Sequence, residues 1–496
     1  MSFGQPPHIL VVGGGYVGMY TALRLQRRLR HGEATVTVVE PNSYMTYQPF
    51  LPEAAAGNLE PRHVVVPLRR VLNGCRVVSG SVTGINHAER RAYITPNQGT
   101  PYELRYDVLV GCPGSVARTL PIPGLAELGI GFKSVAEAIY IRNKVIERMD
   151  AAASSNDPQL RRRALTFVFI GGGFAGIEAI AELEDMARDA CSFYPELSPS
   201  DMRWVMVEAS GRVLPEVSPA MGLYTLKQLE HRGIEMKINT RVQSLVDGHV
   251  VLDSGEEFDA ETIVWTAGVK AHPLLANTDL PLDERGRIKA TAFLQVDGVE
   301  QAWTAGDCAA VPDLTKGEGA TTSPSAQHAV RQARVLADNI LADLRGLPIA
   351  PYEHKYAGSV ASLGLHKGVA DVYGMKLRGW PAWLMHRTYH LSRVPTFNRK
   401  ARVLADWTLS LFFRREIVSL GAFADPRASF REAASPSAPA PSARTASPAP
   451  SGPTSAVSAK PAVHGETNGS GAAGRKLPAP ARTVGPAKSS GESSVA

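Results

Sequence analysis

Two short apolar runs rich in β-branched residues, at residues 9–12 and 167–170, are each followed by a glycine-rich turn and then by a run with helical spacing of its apolar positions. A continuous apolar run of this length, bounded by turn signals, is typical of a strand buried on both faces. The change from strand-like to helix-like patterning predicts a strand–turn–helix unit twice in the chain. The repeat favours an α/β fold with parallel sheets.

Both turns carry the pattern Gly-x-Gly-x-x-Gly. The first glycine permits the tight bend, the second lets a pyrophosphate approach the backbone, and the third lets helix and strand pack closely. The helix that follows directs unpaired N–H groups and the positive end of its dipole at the phosphates. One such pattern is a weak signal, but two of them predict two Rossmann-like dinucleotide-binding units. Their glycines are Gly13, Gly15 and Gly18 in the first unit and Gly171, Gly173 and Gly176 in the second.

Each glycine turn is followed by a second strand that ends in an acid. The acids are Glu40, which closes ATVTVVE, and Glu208, which closes MRWVMVE. A carboxylate at this position accepts hydrogen bonds from the ribose hydroxyls and repels a 2′-phosphate. The pattern therefore favours FAD in one unit and NADH over NADPH in the other, although the nearby Arg212 leaves NADPH open.

The segment between the two units offers further cofactor-binding candidates. Residues 41–60 form a loop rich in proline and aromatic residues, and we expect Gln48 in it to flank the nucleotide ring. An ordinary packed surface loop is the alternative. Residues 62–110 read as short strands, with alternating apolar positions up to Val82, and Gly114 follows at a strand exit.

A helix is predicted over residues 134–149, because Ser134 and Glu137 have the capping-box spacing. Strands expected near Met202, Glu235, Val250 and Thr262 complete the second unit, and Gly268 follows the last of them. The run QAWTAGDCA then places Asp307 after a late strand, where a carboxylate can meet the ribityl chain of a flavin. The chain must therefore have returned to the first unit, so the second unit is inserted into the first.

Composition limits the remaining possibilities. The 496 residues are 44% hydrophobic, enough for a large core, but from Ala433 onward the chain is mostly Ser, Pro, Ala, Gly and Thr and is predicted to be disordered. The four cysteines show no C-x-x-C pattern, so we expect neither a disulfide framework nor a metal site, and we infer a reducing, cytosolic compartment. The first apolar run is too short for a secretory signal, and no run of 18 apolar residues predicts a spanning helix.

The net charge of +6 is concentrated near the C-terminus, where residues 366–415 contain ten Lys or Arg and two acids. The segment from Ala401 to Glu416 places several apolar residues on one helical face with basic residues at both ends. The apolar positions are Val403, Leu404, Trp407, Leu411 and Phe412. This pattern predicts a helix that lies in an anionic membrane surface, and a core-packed helix with a basic rim is the alternative. Nucleic acid is not expected as a partner, since no recognition motif accompanies the charge.

Over about residues 7–420 the motifs GGGYVG, GGGFAGIE, WTAGV and TAGDCA, in this order, resemble those of the type II NADH:quinone oxidoreductases, flavoproteins with two dinucleotide-binding domains. The resemblance implies FAD and NADH as cofactors, and two-electron reduction of a membrane quinone without proton pumping. It places the enzyme peripherally on the cytoplasmic face of the cell membrane and leaves a homodimer open. One departure is Cys112-Pro113-Gly114, where such flavoproteins carry an A-T-G run.

The expected domains follow from these patterns and the resemblance together. They are an FAD-binding domain at 1–133 and 282–350, an inserted NADH-binding domain at 134–281, a membrane-associating module at 351–428 and a disordered tail at 429–496.

The resemblance also implies two catalytic residues. The family carries an A-Q-x-A-x-Q-like run beside the flavin and the quinone, which matches Gln327, whereas the second glutamine here, Gln332, comes one residue late. Glu178, two residues past Gly176, matches a glutamate near the nicotinamide and quinone that could help to move protons. The alternatives are an ordinary amphipathic helix for the first and a carboxylate favoured by the helix dipole for the second.

Other functions fit the sequence less well. A sulfide:quinone oxidoreductase needs a cysteine downstream of the Gly-Asp motif, and none follows Cys308. Ferredoxin and disulfide reductases share the fold but do not explain the basic, aromatic C-terminal part. An NADH-sensing flavoprotein that uses the tail for docking is a further alternative, which rapid quinone turnover would exclude.

Overall fold

The strand–turn–helix unit occurs twice in the computed structural model, which describes residues 6–421 except 318 and 356. All of these residues belong to one compact folded body spanning Met1–Arg427, which contains both strand–turn–helix units. The predicted tail at 429–496 lies outside the described residues. The α-helices in chain order are α1 (Tyr16–Arg28), α2 (Leu51–Ala55), α3 (Leu68–Val71), α4 (Leu125–Leu128), α5 (Val135–Ser154), α6 (Pro158–Ala164), α7 (Phe174–Ala190), α8 (Pro219–His231), α9 (Ala326–Leu344), α10 (Trp380–Arg393) and α11 (Phe397–Leu409). The strands are β1 (His8–Val12), β2 (Thr35–Glu40), β3 (Tyr44–Thr46), β4 (Val65–Pro67), β5 (Arg76–Asn86), β6 (Arg91–Pro96), β7 (Tyr102–Arg105), β8 (Val108–Gly111), β9 (Ser115–Ala117), β10 (Gly129–Gly131), β11 (Thr166–Ile170), β12 (Arg203–Glu208), β13 (Ile234–Ile238), β14 (Val242–Ser244), β15 (His249–Leu252), β16 (Glu257–Asp259), β17 (Thr262–Trp265), β18 (Val269–Ala271), β19 (Ile288–Lys289), β20 (Ala302–Thr304), β21 (Ala309–Ala310), β22 (Gly358–Ser362), β23 (Gly368–Val372) and β24 (Met375–Arg378).

The first sheet has seven strands in the order β20-β8-β1-β2-β5-β6-β7. The strands from β20 to β5 are parallel, and β5, β6 and β7 continue the sheet as antiparallel neighbours. The late strand β20 pairs with β8, as the sequence predicts from the position of Asp307. The second nucleotide fold is therefore inserted between β8 and β20, and the predicted α/β class with two Rossmann-like units is confirmed.

The inserted unit contains a sheet of five parallel strands, in the order β10-β17-β11-β12-β13. All five residues of β11 are buried, as its continuous apolar run predicts. Phe167 of β11 stacks on Trp204 of β12 with ring centroids 4.3 Å apart. A two-stranded antiparallel ribbon of β9 and β18 joins the first unit to the second.

Two local predictions have different outcomes. Helix α5 begins after Ser134, whose side chain accepts the Glu137 N–H while the Glu137 side chain accepts the Ser134 N–H, so the predicted capping box is confirmed. Residues 41–60 are not one loop, because β3 and the buried helix α2 lie within them. Helix α2 packs against α5 and α7. Its apolar residues are therefore part of the hydrophobic core and not of a loop that lies over the nucleotide.

The predicted membrane-surface helix is only partly correct. Helix α11 ends at Leu409, so Leu411 and Phe412 lie beyond it and are 74% and 76% exposed. Val403 and Trp407 are instead buried in the protein core. The Trp407 ring packs on that of Phe50. Among the described helices none has the length and apolarity needed to cross a membrane.

Candidate active site

The first glycine turn has the shape of a phosphate cradle. Gly13 has φ +100°, and a Cβ there would lie 2.5 Å from the Cys112 carbonyl oxygen. A Cβ on Gly18 would lie 1.8 Å from the Gly13 carbonyl oxygen, whereas a Cβ on Gly15 would meet nothing within 4 Å. The first and third glycines are therefore required by packing, and the second faces open space beside the uncapped start of α1.

The second turn repeats this geometry. Gly171 has φ +114°, and a Cβ on Gly176 would lie 2.0 Å from the Gly171 carbonyl oxygen. Gly173 again has nothing within 4 Å and precedes α7 without a side-chain cap. The free N–H groups at the start of α7 and the open space at Gly173 fit a second pyrophosphate.

The two acids lie at the ends of β2 and β12 as predicted, and they have an additional structural role. Glu40 Oε2 accepts the Gly14 N–H at 2.7 Å, and Glu208 Oε2 accepts the Gly172 N–H. Each carboxylate thus fixes the middle of its own glycine turn, which the sequence did not indicate. Arg212 donates to the carbonyls of Leu214 and Val217, so its guanidinium is engaged by the backbone near this site.

A polar chain at the exit of β20 brings the predicted flavin-binding residues together. Asp307 Oδ2 accepts the Ser115 hydroxyl at 2.7 Å, and the Lys133 ammonium donates to the same hydroxyl oxygen. Gln48 Nε2 donates to the Lys133 carbonyl at 3.2 Å. Burial lowers the pKa of Lys133, whereas Asp307 and Glu137 act to raise it. Ser115 and Lys133 carry no sequence signal of their own and were missed.

Tyr16, the first residue of α1, lies beside this chain. Its ring packs 6.1 Å from that of Tyr47, and its buried hydroxyl donates to no acceptor in the described part of the chain. Burial raises the pKa of Tyr16 well above its ordinary value, so the hydroxyl stays protonated as a donor. An orphaned buried donor beside a glycine cradle fits a site that a bound group completes.

One cavity of about 2470 Å³ connects the two units. The predicted site residues that line it are Gln48, Gly171, Gly173, Glu178, Glu208, Gly268, Asp307 and Gln327. Those outside its lining are Gly13, Gly15, Gly18, Glu40, Val82, Gly114 and Gly176. Val82 lies on β5, where it pairs with Ile94, and its side chain is buried in the hydrophobic core, so a contact with a cofactor would come from its backbone.

Glu178 lies on α7, one turn past the second glycine loop, and is buried against the C-terminal sheet. Its Oε1 accepts the Ser362 N–H at 2.9 Å and lies 3.1 Å from His386 Nε2. Both partners come from residues far along the chain, so the sequence offered no signal for them. A buried carboxylate held next to an imidazole at the cavity wall is suited to proton transfer.

The two glutamines of α9 have different environments. Gln332 is fully buried, and its amide oxygen accepts the Gly306 N–H at 2.8 Å, so it holds the turn before Asp307. Gln327 faces the cavity, with its oxygen accepting from His354 and Ala357 and its nitrogen donating to the Gly358 carbonyl. The second N–H of the Gln327 amide has no acceptor among the residues that the structure describes.

Comparison with known proteins places the chain in a family. Residues 7–333 match the family model for pyridine nucleotide-disulphide oxidoreductases. The chain is 31% identical to the type II NADH:quinone oxidoreductase of Staphylococcus aureus over 76% of this chain and 93% of that protein. It is 29% identical to a probable NADH dehydrogenase of Dictyostelium discoideum over 83% of this chain and 91% of that protein.

A solved structure, NDH2 from Plasmodium falciparum in complex with NADH, has the same fold. It matches with a TM-score of 0.77 and 18% identity over 83% of this chain and 99% of that chain. The cradles, the acids and the polar chain at Asp307 fit the FAD and NADH that such flavoproteins use. The chain therefore belongs to the pyridine nucleotide-disulphide oxidoreductase family and, within it, to the type II NADH:quinone oxidoreductases, flavoproteins that oxidise NADH.

Proposed function

We propose that the protein catalyses the FAD-dependent oxidation of NADH with two-electron reduction of a membrane quinone, and that it pumps no protons. The observation that carries this proposal is the single cavity lined by the second glycine loop, by Asp307 and by residues of α9 and α10. NADH on the side of the second glycine loop and a quinone on the side of α9 and α10 can both reach the space next to Asp307, where the first unit would hold FAD. FAD supplies the hydride-accepting and two-electron chemistry, and the protein supplies orientation.

The residues divide into two binding sets. FAD would be held by Gly13, Gly15, Gly18, Glu40, Gln48, Val82, Gly114 and Asp307, and NADH by Gly171, Gly173, Gly176, Glu208 and Gly268. The negative charge of Glu208, together with an Arg212 engaged by backbone carbonyls, supports NADH over NADPH.

Glu178 and Gln327 are the proposed catalytic residues on the acceptor side. Both line the cavity, and one amide N–H of Gln327, which has no acceptor among the described residues, can donate to a quinone carbonyl. Glu178 is buried beside His386, where a carboxylate can exchange a proton with an imidazole.

The exposed surface after α11 supports attachment to a membrane, from which the quinone would come. Leu411, Phe412 and Phe413 are 74%, 76% and 68% exposed in consecutive positions, and Lys400 and Arg402 lie on the preceding helix. Exposed aromatic rings next to basic side chains are typical of an anionic membrane surface. We place the protein peripherally on the cytoplasmic face of the membrane.

Sulfide chemistry is disfavoured by the cysteines near the cavity. Cys112 and Cys308 are buried, and burial raises the pKa of both thiols, that of Cys308 to about 11. A buried neutral thiol is a poor nucleophile toward sulfide-derived sulfur.

The test is a steady-state screen of NADH, NADPH and sulfide against ubiquinone and menaquinone analogues, with the flavin identified after denaturation. We expect NADH to reduce a quinone rapidly and FAD to be released. Reconstitution into vesicles with an entrapped pH dye should show turnover without a proton gradient. Slow flavin reduction and a long-lived charge-transfer complex would instead indicate a sensor.

A further inference from the structure

Two histidines of α10 lie at the cavity wall where α7 and α10 meet. His386 is 1% exposed, and its Nε2 is 3.1 Å from Glu178 Oε1. The other ring nitrogen, Nδ1, has no partner in the described part of the chain. Nearly all buried polar atoms have a hydrogen-bond partner, so this imidazole has proton-transfer capacity that the fold does not use.

His390 lies one helical turn after His386, on the same face of α10. The two imidazole rings meet edge to face with centroids 4.6 Å apart. His390 Nδ1 lies 3.2 Å from the hydroxyl of Tyr47, and both residues line the cavity. Glu178 also lines the cavity, whereas His386 does not. His386, behind the cavity wall, therefore lies between Glu178 at one point of the wall and His390 at another.

The charges around the pair favour a proton on one ring and not on the other. Burial lowers the pKa of His386, but Glu178, Glu53 and Glu182 together raise it above its ordinary value. Burial and the neighbouring His386 lower the pKa of His390 well below its ordinary value. The charged groups that act on the pKa of His386 are Glu178 and Glu182 of α7 and Glu53 of α2, and Arg387 of α10 donates to Glu53. The surroundings thus favour protonation of His386 over protonation of His390.

The proposed reaction needs a proton that NADH does not supply. Its balance is NADH + H⁺ + quinone → NAD⁺ + quinol, since the hydride carries two electrons and one proton while the quinol gains two of each. The second proton must reach a quinone oxygen inside the cavity.

We propose that His386 and His390 form a buried relay that supplies this second proton. His386 passes its proton to His390, the protonated His390 gives a proton to the quinone oxygen, and Glu178 then returns a proton from the cavity to His386. Tyr47 fixes the orientation of the His390 ring and is a positioning residue. The inference rests on the proposed reduction of a quinone.

The experiment compares a quinone analogue with ferricyanide, an acceptor of single electrons that takes up no proton. Holoenzymes carrying His386→Gln or His390→Gln are followed by stopped flow, with His249→Gln, an exposed histidine on β15, as the matched control. We expect quinone reduction to slow on the order of 100-fold in both relay variants, while ferricyanide reduction changes by less than about twofold. Tyr47→Phe should slow quinone reduction less and shift its pH profile. Flavin content and circular dichroism report that each variant is folded.

Equal slowing of both acceptors, or no slowing of either, would overturn the relay. So would a defect confined to one histidine, because the two act in series. A wild-type enzyme that reduces ferricyanide but no quinone would overturn the proposed function itself, and the relay with it.

Discussion

The indole N–H of Trp407 donates a 2.7 Å hydrogen bond to Oε2 of Glu53, between helices α11 and α2. The same oxygen accepts from the Arg387 guanidinium at 2.8 Å, and that guanidinium lies over the Trp407 ring, 4.8 Å from its centroid. A buried carboxylate is stabilised only when it is paired and hydrogen-bonded. Helix α11 therefore belongs to the folded body, although its sequence resembles that of a membrane-surface helix.

Replacing Trp407 with phenylalanine should lower the free energy of unfolding by about 1–3 kcal/mol, since the ring is kept and a hydrogen bond to a buried charge is lost. The matched control is Leu404→Ala on the same helix, because Leu404 is 53% exposed. It should change stability by less than about 0.5 kcal/mol. Chemical denaturation of the flavin-loaded proteins measures both, and similar losses in the two variants would argue against a buried role for the indole.

Membrane attachment should depend on the side chains past α11 rather than on α11 as a whole. Phe412→Ser together with Phe413→Ser should weaken binding to anionic vesicles while leaving the unfolding free energy unchanged, since both rings are exposed. Leu347→Ser, at another exposed apolar residue, is the control and should bind like wild type. Vesicle sedimentation measures the binding. Undiminished binding of the double variant would contradict the membrane-surface assignment for this segment.

The two glutamines of α9 show where sequence reasoning reaches its limit. Successive residues of a helix are rotated by about 100°, so positions four apart share a face and positions five apart do not. Gln327 and Gln332 are five apart, and the cavity-facing position one turn after Gln327 is Arg331. The spacing indicated that Gln332 departs from the family run, but its bond to Gly306 depends on a turn that only the folded chain brings close.

Local patterns predicted the elements that local physics determines: both glycine turns, the capping box of α5 and the late strand β20. They could not predict Ser362, His386 or Lys133, because these residues reach the site through contacts between distant parts of the chain. The strand-end acids are predicted from the pattern as ribose contacts, whereas their bonds to Gly14 and Gly172 depend on how each turn folds back on its second strand.

Alanine substitutions at two glycines of the second turn should affect NADH binding in one case and folding in the other. Gly173→Ala places a methyl group in open space, so the protein should fold but lose affinity for NADH by about tenfold or more, since the methyl group occupies the phosphate's approach. Gly176→Ala brings a Cβ within 2.0 Å of the Gly171 carbonyl and should destabilise the inserted unit. NADH titration and thermal unfolding distinguish the two effects. Normal NADH affinity in a folded Gly173→Ala protein would place the pyrophosphate elsewhere.

Glu208→Gln should narrow the preference for NADH over NADPH. The amide oxygen can still accept the Gly172 N–H, but the charge that repels a 2′-phosphate is removed, so the ratio of kcat/KM values should shift toward NADPH by about tenfold. Glu40→Gln, the equivalent change in the first unit, should leave this ratio unaltered and weaken FAD retention instead. A Glu208→Gln enzyme with the wild-type ratio would mean that the carboxylate does not face the nucleotide ribose.

Because the pKa of Glu182 is raised in the folded protein, this residue should lower the stability of the protein as the pH rises. It is 1% exposed and accepts the Ser362 hydroxyl at 2.7 Å and the Asn58 amide at 3.1 Å. Burial and the nearby Glu53 and Asp185 raise its pKa to about 7. The unfolded chain ionises Glu182 near pH 4.5, so above that pH the folded state holds a proton that the unfolded state has lost, and stability falls until the folded carboxyl also ionises.

Glu182→Gln is a neutral replacement that keeps this shape, since Asn58 can turn its amide to accept from the new NH₂. Its Tm should match that of wild type near about pH 5 and exceed it increasingly toward about pH 8, because only wild type must then bury a second charge beside Glu53. Glu230→Gln, at an exposed position on α8, controls for the loss of one negative charge and should show a difference independent of pH. Thermal unfolding across this pH range tests the sign directly. A Tm difference for Glu182→Gln that stays constant with pH would mean that Glu182 does not change its ionisation in the folded state over this range.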